Sequence, residues 1–182
     1  MTFLSLAFRQ LTAMVVIALL SFPGWAQSAN SMAEYRVKAA YIYNFAKYVD
    51  WPGDETKPFR VCTAGRDDLG GALAALDRRM AQGREIQVRR DVALDQLKEC
   101  QIAFIGETES KLLPQVIRQL NGAPVLVVSD IRQSVDTGAH VLLAATDDRV
   151  EFDVNLASMQ RANLKASSQM LKLARSTKPV KP

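Results

Sequence analysis

Histidine, cysteine and long apolar runs are what this chain has least of. Its 182 residues contain one histidine, His140, and two cysteines, Cys62 and Cys100. Two thiols and one imidazole without ligand-like spacing cannot complete a tetrahedral set, so no metal centre is expected. No serine sits in a nucleophile-elbow pattern, and Ser167-Ser168 reads as a helix cap. His140 follows Gly138 at the start of an apolar pattern and reads as an ordinary core or surface histidine. Gly65, Gly70 and Gly71 match neither dinucleotide nor P-loop spacing, and Asp67 and Asp68 beside them repel a phosphate. Lacking a nucleophile with its base, a metal and a cofactor cradle, the chain is read as a binding protein without cofactor or enzyme activity.

The apolar run Leu11 to Phe22 is 12 residues long, against about 20 needed to cross a bilayer. Arg9 precedes it, Pro23 and Gly24 follow, and Gly24 and Ala26 are the small residues a signal peptidase requires before a cut at Gln27. Residues 1–26 are therefore expected to be a cleavable secretory signal, with an uncleaved anchor as the alternative. Export implies an oxidising compartment, where Cys62 and Cys100 are expected to pair, two free buried thiols being the other reading. Losing residues 1–26 removes one basic residue and no acid, leaving 22 basic against 19 acidic residues. So small an excess, with no basic stripe, does not point to nucleic acid.

The remaining 156 residues suit one domain. Val37, Tyr41, Phe45 and Tyr48, widened by Ile42 and Val49, recur at helical spacing and predict an aromatic-faced helix over Glu34–Val49, ended by Trp51-Pro52-Gly53. Apolar runs predict strands at Phe59–Ala64, Gln101–Ile105 and Pro124–Val128, and alternation predicts another at Glu85–Arg90. Helical patterns fall at Leu69–Met80 and Glu109–Leu120. Strands alternating with helices and apolar throughout imply a parallel sheet covered on both faces.

Val141–Ala145 and Val150–Val154 flank a four-residue turn and read as an antiparallel hairpin. A helix over Leu156–Ala162 stopped by Asn163, an extended Leu164–Ala166, and a helix capped by Ser167 or Ser168 and running to Ala174 follow. Residues 176–182 read as a disordered tail. The expected fold is α/β: a mainly parallel, Rossmann-like sheet flanked by helices in one domain, 27–175, with an antiparallel hairpin near the C-terminus.

Two surfaces stand out for binding. Tyr35, Tyr41, Tyr43, Phe45, Tyr48 and Trp51 crowd one segment and cannot all point inward, so some are candidates for a protein interface. The turn after the first strand, with Thr63, Gly65, Asp67 and Gly70, lies where open α/β sheets place small ligands.

Three segments resemble the YfiR-like periplasmic proteins. Glu34, Val37-Lys38-Ala39-Ala40, Tyr43-Asn44-Phe45-Ala46-Lys47 and Trp51-Pro52 are similar to that family's opening motif. Phe152, Asn155-Leu156, Leu164, Ser167-Ser168 and Leu171-Lys172-Leu173-Ala174 are similar to its closing motif, and Cys62 and Cys100 fall where its cysteine pair lies. The chain departs from the pattern at Ser134-Val135 and Gly138-Ala139, where the family shows an aromatic residue and a double glycine, and at Ala166, where it shows a larger aliphatic residue.

The resemblance implies a periplasmic, homodimeric repressor that binds the periplasmic portion of an inner-membrane diguanylate cyclase or related sensor. Its release would raise cyclic-di-GMP output and biofilm formation, with redox sensitivity through the cysteine pair. The partner surface expected on that basis is Tyr41, Tyr43, Phe45 and Trp51 with Phe152 and Asn155. The competing expectation is a periplasmic small-ligand binder using Thr63, Gly65, Asp67 and Gly70.

Overall fold

A computed structural model describes residues 25–53, 56–146 and 149–178. Apart from Trp25 and Ala26, which lie in helix, the expected signal segment falls outside the described residues, as do Asp147 and Asp148 of the hairpin turn. The first helix, α1, spans Trp25–Tyr48 and so begins ahead of the expected Glu34. Its buried stripe is Lys38, Ala39, Ile42, Phe45, Ala46 and, one residue past its end, Val49. Val37, placed on the core side by spacing alone, is exposed. Two adjoining registers satisfy the three-four rule, and the one with the larger continuous apolar volume faces the sheet.

Strand β1 (Val49–Asp50) pairs antiparallel with β9 (Lys165–Ala166) in a small separate ladder, which puts Val49 opposite Ala166. The main sheet comprises β2 (Phe59–Thr63), β3 (Met80–Ala81), β4 (Arg84–Arg89), β5 (Ile102–Ile105), β6 (Leu126–Ser129), β7 (Val141–Ala145), β8 (Val150–Asn155) and β10 (Ser176–Lys178). Its order is β10-β8-β7-β6-β5-β2-β4-β3. The run β4-β2-β5-β6-β7 is parallel, while β7–β8 is the expected antiparallel hairpin, closed by Thr146 N–H donating to the Arg149 carbonyl at 2.8 Å.

Alternation along the central strands sorts side chains into two cores. Phe59, Val61, Ile102, Phe104, Leu126 and Val128 face α1, together with Phe152 and Val154 of β8. Cys62, Ala64, Ala103, Ile105, Val125 and Val127 face the other way, onto Leu113, Val116 and Leu120 in and just after helix α2 (Leu113–Gln119). Each fully buried aliphatic or aromatic side chain contributes about 2 kcal/mol, so both faces of the sheet are fixed by sequence parity.

Several elements differ from the sequence reading. The helix expected over Leu69–Met80 shrinks to a short 3-10 turn, Ala72–Leu76, because Gly70, Gly71 and Arg78 all hold positive φ angles that an α-helix cannot contain. That expected over Glu109–Leu120 begins only at Leu113, where Pro114 occupies the first turn. Among the pieces without a sequence expectation are the short strands β1 and β3, a 3-10 turn over Leu94–Glu99 and a one-turn helix, α3 (Ser134–Thr137).

Asn163 does stop α4 (Leu156–Arg161) with φ 54°, and the Ser167 hydroxyl accepts from Met170 N–H at 3.2 Å to cap α5 (Ser168–Leu173). Residues 176–178, placed by composition in a disordered tail, form edge strand β10, parallel to β8. Arg175 on Asp153 and Lys178 on Asp136 tie it down, contacts between distant residues that composition does not record. At the departure from the family pattern, Gly138 has φ 120° while Ala139 has no such requirement and is fully buried, so alanine fits there.

Candidate functional site

Cys62 and Cys100 form a disulfide, with Cα atoms 6.1 Å apart and a sequence separation of 38. It lies in the second core, joining β2 to the residue that leads into β5. On the chain-entropy account, closing a loop of this length stabilises the fold by roughly 4 kcal/mol.

Cys100 also lines a cleft of about 490 Å³ at the amino ends of β2, β4, β5 and β6. Trp51 forms one wall. Its indole Nε1–H donates to the Gln101 carbonyl at 3.0 Å, and its ring meets Phe59 edge to face at 5.0 Å. Gln101 also acts through its side chain, Oε1 accepting from Arg60 N–H at 2.7 Å. One residue after the disulfide, the chain thus fixes both the aromatic wall and the start of β2.

Among the described residues the cleft is cationic: Lys57, Arg60, Arg84 and Lys98 line it against one carboxylate, Glu99. Glu99 is shared, 2.8 Å from Arg60 and 3.4 Å from Arg89. Arg84 is buried, its Nε donating to the Lys57 carbonyl at 2.6 Å and its Nη2 to that of Pro58 at 3.1 Å.

Of the residues expected to form a partner surface, only some meet. Trp51 lies at the cleft and is half-buried. Tyr43 is half-buried elsewhere, its ring centroid 5.5 Å from the Lys47 ammonium and 3.8 Å from the Arg79 guanidinium, its hydroxyl donating to the Met80 carbonyl. Phe45 and Phe152 are core residues, each 1% exposed and packed on one another at 5.1 Å, so neither presents a docking face. Tyr41 packs on Phe152 at 5.3 Å and donates its hydroxyl to the Val150 carbonyl. Asn155 caps α4 through Oδ1, accepting from Ser158 N–H, while Nδ2 donates to the Val135 carbonyl. Aromatic spacing on a helix gives a face and not its direction; here the face points at β8.

The turn expected to hold a ligand is occupied by its own side chains. β2 and β5 are neighbours from which the chain continues to opposite sides of the sheet, the switch point where such folds bind ligands. Thr63 is buried, its hydroxyl donating to the Gly65 carbonyl and accepting from Asp91 N–H. Asp67 Oδ1 accepts from Leu69 N–H, and Gly70 abuts the Tyr35 ring. Across the switch point Asp68 accepts from the Thr108 N–H and hydroxyl, and Glu109 packs against Gly65, where a Cβ would come within 2.7 Å of its side chain. Two carboxylates thus fill the space a ligand would need.

A larger cavity, about 700 Å³, lies further along the carboxyl ends, beside β6 and β7. Lys38 and Asp130 line it as a nearly buried ion pair, Nζ to Oδ2 2.8 Å, with Glu34 2.6 Å from the same ammonium. Burial alone would lower the lysine pKa, but hydrogen bonds and charge from Asp130 and Glu34 outweigh it and hold it above its ordinary value. His140, just ahead of β7, is buried with Nδ1 accepting from Val127 N–H at 2.8 Å. Desolvation pushes its pKa down to about 4. Its role is to complete the β6–β7 junction. Among the described residues, no group of three or more His, Cys, Asp or Glu side chains is placed to hold a metal, and no helix is long and apolar enough to cross a membrane.

The residues that sequence reasoning missed are Lys57, Arg84, Lys98 and Gln101, since they come together only through the sheet order. One signal was present: Arg84 has the parity of Ile86 and Val88, a charge on the inward face of an alternating strand.

The model of the YfiR/HmsC-like family matches residues 35–175. A crystal structure of a conserved domain protein from Vibrio cholerae O1 biovar El Tor strain N16961 superposes with a TM-score of 0.52 at 10% identity, over 79% of this chain and 60% of that one. This chain thus spans about 60% of that protein's length, and at such identity the likeness is one of fold alone.

Proposed function

The chain belongs to the YfiR/HmsC-like family, and for this member we propose a periplasmic, non-enzymatic regulator that docks on the periplasmic portion of an inner-membrane diguanylate cyclase and holds it inactive. Residues 1–26 serve as its cleaved export signal, and the working form is a homodimer. A periplasmic domain has no cytoplasmic nucleotide pool to act on, so it reaches cyclic-di-GMP output, and biofilm formation with it, through a membrane partner.

The observation that carries this reading is the Cys62–Cys100 disulfide set against the Trp51 cleft. A bridge stabilising the domain by roughly 4 kcal/mol is a large part of the 5–15 kcal/mol typical of a domain. Reduction therefore weakens the fold and the cleft wall together, which couples repression to the redox state of the compartment.

The test is capture. Immobilised protein is incubated with detergent-solubilised inner membrane, with and without dithiothreitol, and the cyclase activity of the eluate is assayed as protein is added back. The expected result is a diguanylate cyclase retained by the oxidised form alone and inhibited by it. Capture of no cyclase by either form overturns the reading.

A second reading, small-ligand binding, is favoured by a different observation from the one that suggested it. The loop Thr63–Gly70 is filled, but the Lys38–Asp130 pair beside the 700 Å³ cavity offers buried polar groups at the carboxyl ends of the strands. A metabolite retained by the purified protein, with no membrane protein captured, would support this alternative.

A further inference from the structure

Arg84 is the most conspicuous charge in the cleft. It opens β4 on the strand's inward face, is 9% exposed, and lays its guanidinium against the Phe59 ring, 5.3 Å from its centroid. Two carbonyls, those of Lys57 and Pro58, accept its N–H groups. Among the described residues no carboxylate lies within ion-pair distance of it, and the same holds for Lys57 and Lys98, which line the same cleft. Glu99, the one described acid lining it, already serves Arg60 and Arg89. A buried cation satisfied by carbonyl dipoles keeps its net charge, and that charge is least costly when an anion reaches it.

We propose that this cleft receives an acidic, extended peptide segment of the partner protein, carboxylates toward Arg84, Lys57 and Lys98 and an apolar side chain against Trp51. This deepens the docking reading and rests on it. The cations come from three separated stretches of chain, so they suit a run of carboxylates more than one point charge. A cleft of about 490 Å³ also exceeds what a lone carboxylate or phosphate fills. Trp51 supplies a flat apolar wall, and Pro52 and Pro124 at the margin carry no N–H to compete for the segment's carboxylates. The disulfide enters through Cys100 and Gln101: the Gln101 carbonyl holds the Trp51 indole, so the bridge braces the backbone next to the wall on which the segment lies.

The test uses the purified full chain and a fluorescein-labelled synthetic peptide of alternating Asp and Glu around one Leu, followed by fluorescence anisotropy. The Asn/Gln counterpart is the neutral control. The acidic peptide is expected to bind, the neutral one not, and binding to weaken as salt rises. The double variant Lys57→Gln/Lys98→Gln is expected to weaken binding about tenfold, the equivalent of about 1.4 kcal/mol shared by two surface charges. Arg118→Gln/Arg132→Gln, an equal charge change away from the cleft, leaves binding unchanged.

Arg84→Gln is expected to weaken binding further; if it fails to fold, the decision rests on the exposed lysines alone. Equal binding of the neutral peptide, no binding of either peptide, or equal weakening by the distant arginine pair overturns the proposal. If the peptide fails to bind while the oxidised protein still captures the cyclase, the acidic-segment inference falls and the docking reading stands.

Discussion

At the carboxyl ends of the strands, most cations are answered from within the chain: Lys38 by Asp130 and Glu34, Arg175 by Asp153, Lys178 by Asp136, Arg66 by Glu109, the exposed Arg132 being without a described carboxylate. At the amino ends the balance is different. Arg84, Lys57 and Lys98 have no described carboxylate, a tryptophan stands beside them, and a disulfide braces the backbone that holds it. The carboxyl ends include the switch point that α/β folds ordinarily use for ligands, and here Asp68 and Glu109 fill it. Position in a fold is therefore a weaker guide to a site than the accounting of which charges have partners.

The contrast can be broken most severely at the disulfide. Cys100→Ser should lower stability by roughly 4 kcal/mol, about ten degrees in melting temperature for a domain of this size. Differential scanning calorimetry under oxidising conditions checks it, and equal melting of variant and wild type removes the brace from the account.

At the opposite end, Lys38→Met should lower stability by about 3 kcal/mol by urea denaturation, because it strands Asp130 in a nearly buried site. Lys38→Met/Asp130→Leu should recover most of that loss, since the one carboxylate then left without its partner, Glu34, is partly exposed to solvent. A double variant no more stable than the single would mean that the pair does more than neutralise itself.

His140 makes the amino end of β7 sensitive to acid. Its folded pKa of about 4 lies below the ordinary 6.5, so the unfolded chain binds more protons between those values. The stability it contributes is fully present above pH 6.5 and is lost progressively as pH falls through about 4, roughly 3 kcal/mol in all. Urea titrations at pH 7 and pH 4 should differ by that much more in wild type than in His140→Gln. Parallel pH profiles would contradict the assignment.

The smallest expected effect sharpens the picture of the cleft wall. Trp51→Phe keeps a ring against Phe59 but deletes the indole donor to Gln101, and should lose about 1 kcal/mol by the same measurement.

The parts of this molecule legible in its sequence are those encoded by neighbours. Apolar runs located β2, β5 and β6, two-residue alternation assigned Phe152 and Val154 to one face, and Ser167 and Asn163 marked helix ends through local backbone chemistry. What was not legible depends on distant pairing. Phe45 had the right helical spacing for a surface or a core, and only the presence of β8 beneath it decides for the core. β10 has an exposed, polar sequence and exists because β8 offers it an unpaired edge. The cleft gathers Trp51, Lys57, Arg84, Lys98 and Gln101 from four stretches of chain. Of these only Trp51 stood out beforehand, as an aromatic at a helix end.

The most direct measurement of the central claim is capture of the membrane cyclase by three forms of the protein side by side: oxidised wild type, reduced wild type, and oxidised Lys57→Gln/Lys98→Gln. A regulator that docks through its disulfide-braced amino-end cleft retains a diguanylate cyclase in the first form and loses most of it in the other two. Equal retention of the cyclase by all three would contradict it.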